Sequence, residues 1–145
     1  MRNSRADAVW EGSLAKGSGH VSTASGALKS ASVSWAARTE AAQSTTSPEE
    51  LLAAAHASCY TMALSHTLGE RGTPPSRLDA TAVVAFDQAD GGWKVTTAKL
   101  SVRGVVPGIT QAAFVDAANA AAKGCPVSKA LAGVEISVES ATLES

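Results

Sequence analysis

Few residues in this chain announce a chemistry. Its 145 residues include two cysteines, three histidines, one tyrosine, two phenylalanines and three tryptophans. His20, His56 and His66 form no His-x-x-x-His pattern and the cysteines form no Cys-x-x-Cys, so neither a metal nor a bound cofactor is expected. Charge of one sign is also lacking: the net charge is −1 and the pI is near 6.3. With no basic patch or arm, the electrostatic case for a nucleic-acid partner disappears. No window approaches the roughly 18 apolar residues of a membrane span, so no membrane partner is expected. Residues 1–7 are polar and lack the apolar stretch of a secretory signal, which makes the cytoplasm the expected compartment. Gly12, Gly17, Gly19 and Gly26 form no phosphate-cradling loop ahead of a helix and read as turn residues. Trp10, Trp35 and Trp93 are scattered over separate segments, as core or dimer packing would have them rather than an aromatic substrate box. There is no internal repeat and no low-complexity tract.

What is present is apolar matter, 45% of the chain. That suffices for one domain over residues 1–145 with a core of its own, which gains further by pairing with a second copy. Short β runs at 8–12, 19–24, 27–28 and 31–35, separated by Gly and Ser, predict a meander. A polar linker over 41–46 leads into a helix with a legible start: Ser47 as N-cap, Pro48 as first helical residue and Glu50 as the carboxylate of a capping box. This helix is predicted from Pro48 to about Arg71, ended by Gly69 and residues 72–75. Leu51, Leu52, Ala55, Cys59, Met62, Ala63 and His66 recur at helical spacing and predict the apolar stripe. Residues 78–87 and 92–105 predict a β-hairpin. A second long helix is predicted over 110–123, with Phe114, Val115 and Ala118 inward and Gly124 as its stop. Pro126 then restarts a short helix through Leu131, and 134–143 alternates as a last strand. The pattern is that of an α+β fold.

The two cysteines lie 66 positions apart in unlike settings. In a reducing compartment a permanent bridge is not expected, which leaves free thiols or a transient catalytic disulfide. Cys125 precedes Pro126 at the start of a short helix, where free backbone N–H groups favour a thiolate. Cys59 sits mid-helix on the apolar stripe, where burial raises a thiol's pKa unless a cation approaches. Local reasoning thus makes Cys125 the more reactive sulfur.

Two blocks carry a resemblance. Ser47-Pro48-Glu49-Glu50-Leu51-Leu52-Ala53-Ala54-Ala55-His56-Ala57-Ser58-Cys59-Tyr60 and Gly124-Cys125-Pro126-Val127-Ser128-Lys129-Ala130-Leu131 closely resemble the OsmC/Ohr family of thiol-dependent peroxidases. Val9-Trp10-Glu11-Gly12, Gly19-His20-Val21-Ser22-Thr23 and Trp35-Ala36-Ala37-Arg38-Thr39-Glu40 extend the likeness over nearly the whole chain and resemble its OsmC branch. The resemblance implies an intertwined homodimer of antiparallel sheets with two long helices. It implies reduction of organic hydroperoxides, with hydrogen peroxide as a second candidate substrate, through a Cys59 sulfenic acid that Cys125 resolves as a disulfide. An external dithiol of the lipoyl type is the implied reductant. Arg38 matches the family's arginine, a cation for the Cys59 thiolate and for the departing alkoxide. Glu49 matches its carboxylate, which orients Arg38. Taken alone, Arg38 reads as a solvated surface charge and Glu49 as a first-turn carboxylate that favours the helix dipole. Thr39 departs from the family's common phenylalanine, which leaves substrate preference open. On an unbroken helix, ten residues put Glu49 about 15 Å from its own Cys59, so Glu49 is expected to serve the partner chain's sulfur. Two rival readings remain: the same fold binding a small apolar ligand in the dimer crevice without catalysis, and a protein whose cysteines are packed core.

Overall fold

The computed structural model describes residues 1–40 and 44–144. The chain divides into two compact units, Met1–Leu51 and Leu52–Ser145.

The first unit is a three-stranded antiparallel meander of β1 (Ala6–Glu11), β2 (Ser18–Thr23) and β3 (Ala31–Val33). Gly12 turns the chain out of β1 with φ +94°, a left-handed value that glycine adopts without a Cβ penalty. Gly19 is not a turn residue: it lies inside β2 opposite Trp10. A Cβ there would sit 2.7 Å from the Trp10 ring, so the indole packs over bare backbone. The strand expected at 27–28 is absent. Leu28 instead closes a loop, its N–H donating to Thr23 Oγ1 at 3.0 Å and its carbonyl accepting from Thr23 N at 3.0 Å. The third strand also stops earlier than expected. Ser34 Oγ accepts from Ala37 N at 3.1 Å and starts a helical turn, α1 (Ala36–Thr39), because a serine hydroxyl competes well for a backbone donor at such a start. Of the expected linker, residues 41–43 lie outside the described residues, and Thr46 bridges to Val33.

The Ser47 cap follows the sequence, whereas Glu50, expected to complete a capping box, turns its carboxylate to Thr46. Ser47 Oγ accepts from Glu50 N at 3.0 Å at the head of α2 (Pro48–Glu70). The Glu50 carboxylate accepts from the Thr46 hydroxyl at 2.7 Å. Among the described residues of the first unit, the only buried ones are Gly19, Ser47 and Glu49.

The second unit holds the core. The hairpin of β4 (Arg77–Ala89) and β5 (Gly92–Val105) turns through Asp90 and Gly91. Both have positive φ, 52° and 83°, as a tight hairpin turn matching the strand twist requires. After α3 (Gln111–Gly124) and α4 (Pro126–Ala130), β6 (Glu135–Glu144) joins β5 in parallel. The strand order is β4-β5-β6, so this sheet is mixed while the first is purely antiparallel. The helical crossover between β5 and β6 is what permits parallel pairing. Gln111 ties the head of α3 to β6, its amide donating to the Ala141 carbonyl and accepting from Leu143 N, both at 2.7 Å.

Tyr60, Leu64 and Leu68 of α2, Leu100 and Val102 of β5, and Phe114, Ala117, Ala118 and Ala121 of α3 form the core. Phe114 lies over Gly104, where a Cβ would come within 2.7 Å of its ring. Two expected faces are corrected. Val115 of α3 is exposed, and the buried row of α3 is Phe114, Ala117, Ala118, Ala121 and Ala122. The inward row of α2 is His56, Tyr60, Leu64 and Leu68, each four residues from the next, whereas Met62 of the expected stripe is 67% exposed and Ala55 and His66 are exposed too. The helix has apolar residues on two faces, and periodicity alone cannot say which one its own chain covers. Gly124 does not stop α3 by a left-handed turn either. The stop is Cys125, whose N–H still bonds to Ala121 O at 2.9 Å while its ψ of 124° is extended, as the following proline demands.

Candidate active site

The four residues singled out in the sequence come together as two pairs, one in each unit. In the first unit, Arg38 from α1 meets Glu49 from the first turn of α2. Arg38 Nε donates to both carboxylate oxygens at 3.2 Å, and Nη2 donates to Oε1 at 2.7 Å. The guanidinium also stands 5.6 Å from the centre of the Trp35 ring. The Arg38 side chain is 29% exposed and that of Glu49 8%, so this forked contact is sheltered and directional, unlike a solvated surface pair. Glu49 neutralises part of the cation and fixes the plane of the guanidinium. Thr39, where the family pattern has phenylalanine, is exposed and donates its hydroxyl to Trp35 O at 3.1 Å.

In the second unit, Cys59 of α2 and Cys125 between α3 and α4 are free thiols, the first half-buried and the second buried. The two thiols lie near enough to shift one another's pKa. Burial pushes the Cys59 thiol up, and Cys125 pushes it further, against a small opposing pull from the Val127 backbone N–H. Burial alone would raise Cys125 as well. The backbone N–H of Ser128, the Cys59 thiol, the Ser128 hydroxyl and the Val127 N–H together outweigh it, and the Cys125 pKa falls below its ordinary value. Within the pair the charged form is therefore favoured at Cys125 and disfavoured at Cys59, the direction that the local setting of each cysteine implied. Tyr60, buried beside them, is pushed up to about 12 by burial and by the Cys125 charge, so its hydroxyl stays neutral and donates to Ala118 O at 3.0 Å.

Two further residues belong to this site and were missed in the sequence as participants. His56 is wholly buried, and its Nε2 lies 2.8 Å from Ser128 Oγ. Burial holds its imidazole below the usual value. A signal was available: His56 stands three residues before Cys59 and Ser128 three after Cys125, spacings that on helices make neighbours of side chains. His20 and His66 are exposed. Trp10 and Trp93 are 41% and 45% exposed, and Trp93 stacks on Phe86 with ring centres 5.0 Å apart; no tryptophan lies in the core of the second unit. Among the described residues, no cluster of three or more His, Cys, Asp or Glu side chains could hold a metal, and no helix is long and apolar enough to cross a membrane.

Fold and site define a class: a mixed α+β protein with two facing free thiols and a sheltered arginine–glutamate pair. Residues 41–139 match the family described as OsmC-like protein. The chain is 42% identical over 127 residues to the peroxiredoxin OsmC of Escherichia coli, with 88% of each chain covered. It is 32% identical over 124 residues to the organic hydroperoxide resistance protein OhrB of Bacillus subtilis, covering 83% of this chain and 88% of that one. The crystal structure of Bacillus subtilis OhrB superposes with a TM-score of 0.73 over 97% of this chain and 98% of that one, at 28% identity. An OsmC-like protein of unknown function from Vibrio cholerae, 18% identical, shares the fold with a TM-score of 0.77 over 97% and 99% of the two chains. The chain belongs to the OsmC family.

Proposed function

We propose that this protein is a thiol-dependent peroxidase that reduces organic hydroperoxides to alcohols. The observation that carries the reading is the pair of free thiols on α2 and at the head of α4, near enough to shift one another's pKa. The names of its relatives, a peroxiredoxin and an organic hydroperoxide resistance protein, point the same way. The Cys59 thiolate attacks the terminal oxygen of ROOH. An S–O bond forms, the O–O bond breaks, and the alkoxide takes a proton to leave as ROH. Cys125 then displaces oxygen from the Cys59 sulfenic acid, giving a disulfide and water. A small dithiol of the lipoyl type restores both thiols and is itself oxidised to a cyclic disulfide.

The Cys59 sulfur needs help to ionise, since burial and Cys125 both hold its proton on. Arg38 is the cation we assign to it, with Glu49 as the positioning carboxylate. Glu49 and Cys59 are ten residues apart on the unbroken α2, about 15 Å along its axis. A homodimer in which the Arg38–Glu49 pair of one protomer serves Cys59 of its partner resolves this spacing. The exposure of β1 along its whole length supports such pairing. Sedimentation under assay conditions tests it, and a fully active monomer would rule it out.

The chemistry is tested by mixing reduced protein with cumene hydroperoxide or hydrogen peroxide and following thiol loss. Cys59→Ser is expected to abolish peroxide consumption, and Cys125→Ser to permit one turnover and then stall at the sulfenic acid. Undiminished turnover in Cys59→Ser would reassign the nucleophile. Arg38→Ala is expected to slow the reaction ten- to a hundredfold at neutral pH, on the order of 1.4–2.7 kcal/mol. Without the cation the Cys59 thiolate forms only at higher pH, so its rate should recover as the pH is raised. A constant deficit at every pH would assign Arg38 to the alkoxide instead.

A further inference from the structure

His56 is wholly buried and ionisable, and it makes and breaks no bond in the peroxide chemistry. Its Nε2 faces Ser128 Oγ at 2.8 Å, and its Nδ1, equally shut off from solvent, has no hydrogen-bond partner among the described residues. A neutral imidazole carries one proton, and a buried N–H without an acceptor is costly. The proton therefore belongs on Nε2, where Ser128 Oγ accepts it, and Nδ1 keeps its lone pair. That arrangement commits the Ser128 oxygen as acceptor and frees its hydroxyl proton for another group. Cys125, buried three residues before Ser128, is the sulfur on which that hydroxyl acts. The result is a single donor direction, from His56 Nε2–H to Ser128 Oγ, with the Ser128 hydroxyl proton left to be turned toward Cys125. A thiolate accepts such a bond more strongly than a thiol does. The remaining groups facing Cys125 are the backbone N–H groups of Val127 and Ser128 on α4, and the Cys59 thiol and Tyr60 ring on α2.

We propose that His56 and Ser128 are positioning residues that hold Cys125 as the resolving and leaving sulfur of the pair. The proposal rests on the peroxidase reading and specifies its second half. In resolution, the Cys125 thiolate attacks the sulfur of the Cys59 sulfenic acid. The S–S bond forms, the S–O bond breaks, and the departing hydroxide takes a proton from solvent to become water. In reduction, one thiolate of the external dithiol attacks Cys59 Sγ and Cys125 is expelled as thiolate, again held by the Ser128 hydroxyl. A sulfur whose thiolate is stabilised leaves faster, so attack is directed to Cys59. The second thiolate of the reductant then attacks its own sulfur in the mixed disulfide, closes the reductant's ring and releases Cys59.

The test reads the sulfur directly. In a Cys59→Ser background, where Cys125 is the one remaining thiol, thiolate absorbance at 240 nm is followed against pH. Ser128→Ala and His56→Leu are each expected to move the Cys125 midpoint upward by about one pH unit, a tenfold loss of thiolate at neutral pH. His56→Gln, whose amide can still donate to Ser128, is expected to keep the midpoint near that of the parent. In the two-cysteine protein, Ser128→Ala should slow disulfide formation at least tenfold relative to sulfenic acid formation, read by dimedone trapping. Should His56→Leu fail to fold, as circular dichroism would reveal, Ser128→Ala carries the test. Overlapping midpoints for folded Ser128→Ala and its parent would overturn the proposal, as would His56→Gln behaving like His56→Leu. If peroxide leaves no sulfenic acid on Cys59 of the unaltered protein, the peroxidase reading fails, and the titration still decides whether the chain of donors acts on Cys125.

Discussion

In the β4-β5-β6 sheet, Ala98, Leu100 and Val102 are no more than 1% exposed, whereas β1 of the other sheet leaves Val9 48% and Trp10 41% exposed. Both sheets turn their strands through residues of positive φ, Gly12 in the first and Asp90 and Gly91 in the second. The difference is what lies over them. Phe114 and the alanine row of α3, with Tyr60, Leu64 and Leu68 of α2, cover β5. The first unit has no buried apolar side chain among its described residues. A three-stranded sheet needs a covered face to persist in water, so the first unit is built for burial against something its own strands do not supply. A second copy of the chain is the cover we propose.

The largest effect that sharpens this contrast is expected in the second unit. Phe114→Ala removes the ring that fills the space over Gly104 and should cost about 3–5 kcal/mol in urea unfolding, independent of protein concentration. A loss under about 1 kcal/mol would mean that the site collapses around the gap and that the core is less tightly determined than its burial implies. The matching change in the first unit, Trp10→Ala, should behave differently. It is expected to weaken dimerisation about tenfold or more, roughly 1.4 kcal/mol, with little effect at protein concentrations high enough to keep the dimer assembled. Sedimentation equilibrium at several concentrations checks this, and an unchanged dissociation constant would break the comparison by showing that no second copy covers Trp10.

The same contrast explains what could be read from the sequence. The Ser47 cap, the Asp90–Gly91 turn and the α4 start at Pro126 are local decisions, made by residues within four positions of each other, and all were legible. The facing of α2 was not. Its alanines and leucines serve two faces, and which of them the chain itself buries depends on α3 and β5, far away in sequence. The parallel pairing of β6 is likewise a property of the crossover and not of the strand. At the site, the opposite tendencies of the two thiols followed from their local settings, while Arg38 and Glu49 entered only through the family resemblance. His56 was visible as a helical histidine, but its hydrogen bond to Ser128 spans 72 positions, and nothing in either local segment names the other.

The smallest expected effect concerns that histidine, and it separates a polar group held in a core from the solvated charges of the surface. Burial lowers the His56 pKa from its ordinary 6.5, because an imidazolium here would place a second N–H at Nδ1 with no acceptor. Above pH 6.5 the ring is neutral in both the folded and unfolded chain, and its contribution to stability is fully present. As the pH falls through 6.5, the unfolded chain takes up a proton that the folded chain still refuses, so stability declines until the folded site itself titrates. The urea midpoint of the unaltered protein should therefore drop between about pH 6.5 and 5. His56→Gln, with an amide that does not titrate, should remove part of that slope, whereas Phe114→Ala should lower the curve by a similar amount at every pH. Parallel slopes for His56→Gln and the parent would mean that the folded chain protonates this ring as readily as the unfolded one. A chain whose core accepts an imidazolium at that position has solvent reaching Nδ1, and the donor direction assigned to the His56–Ser128 bond would lose its physical basis.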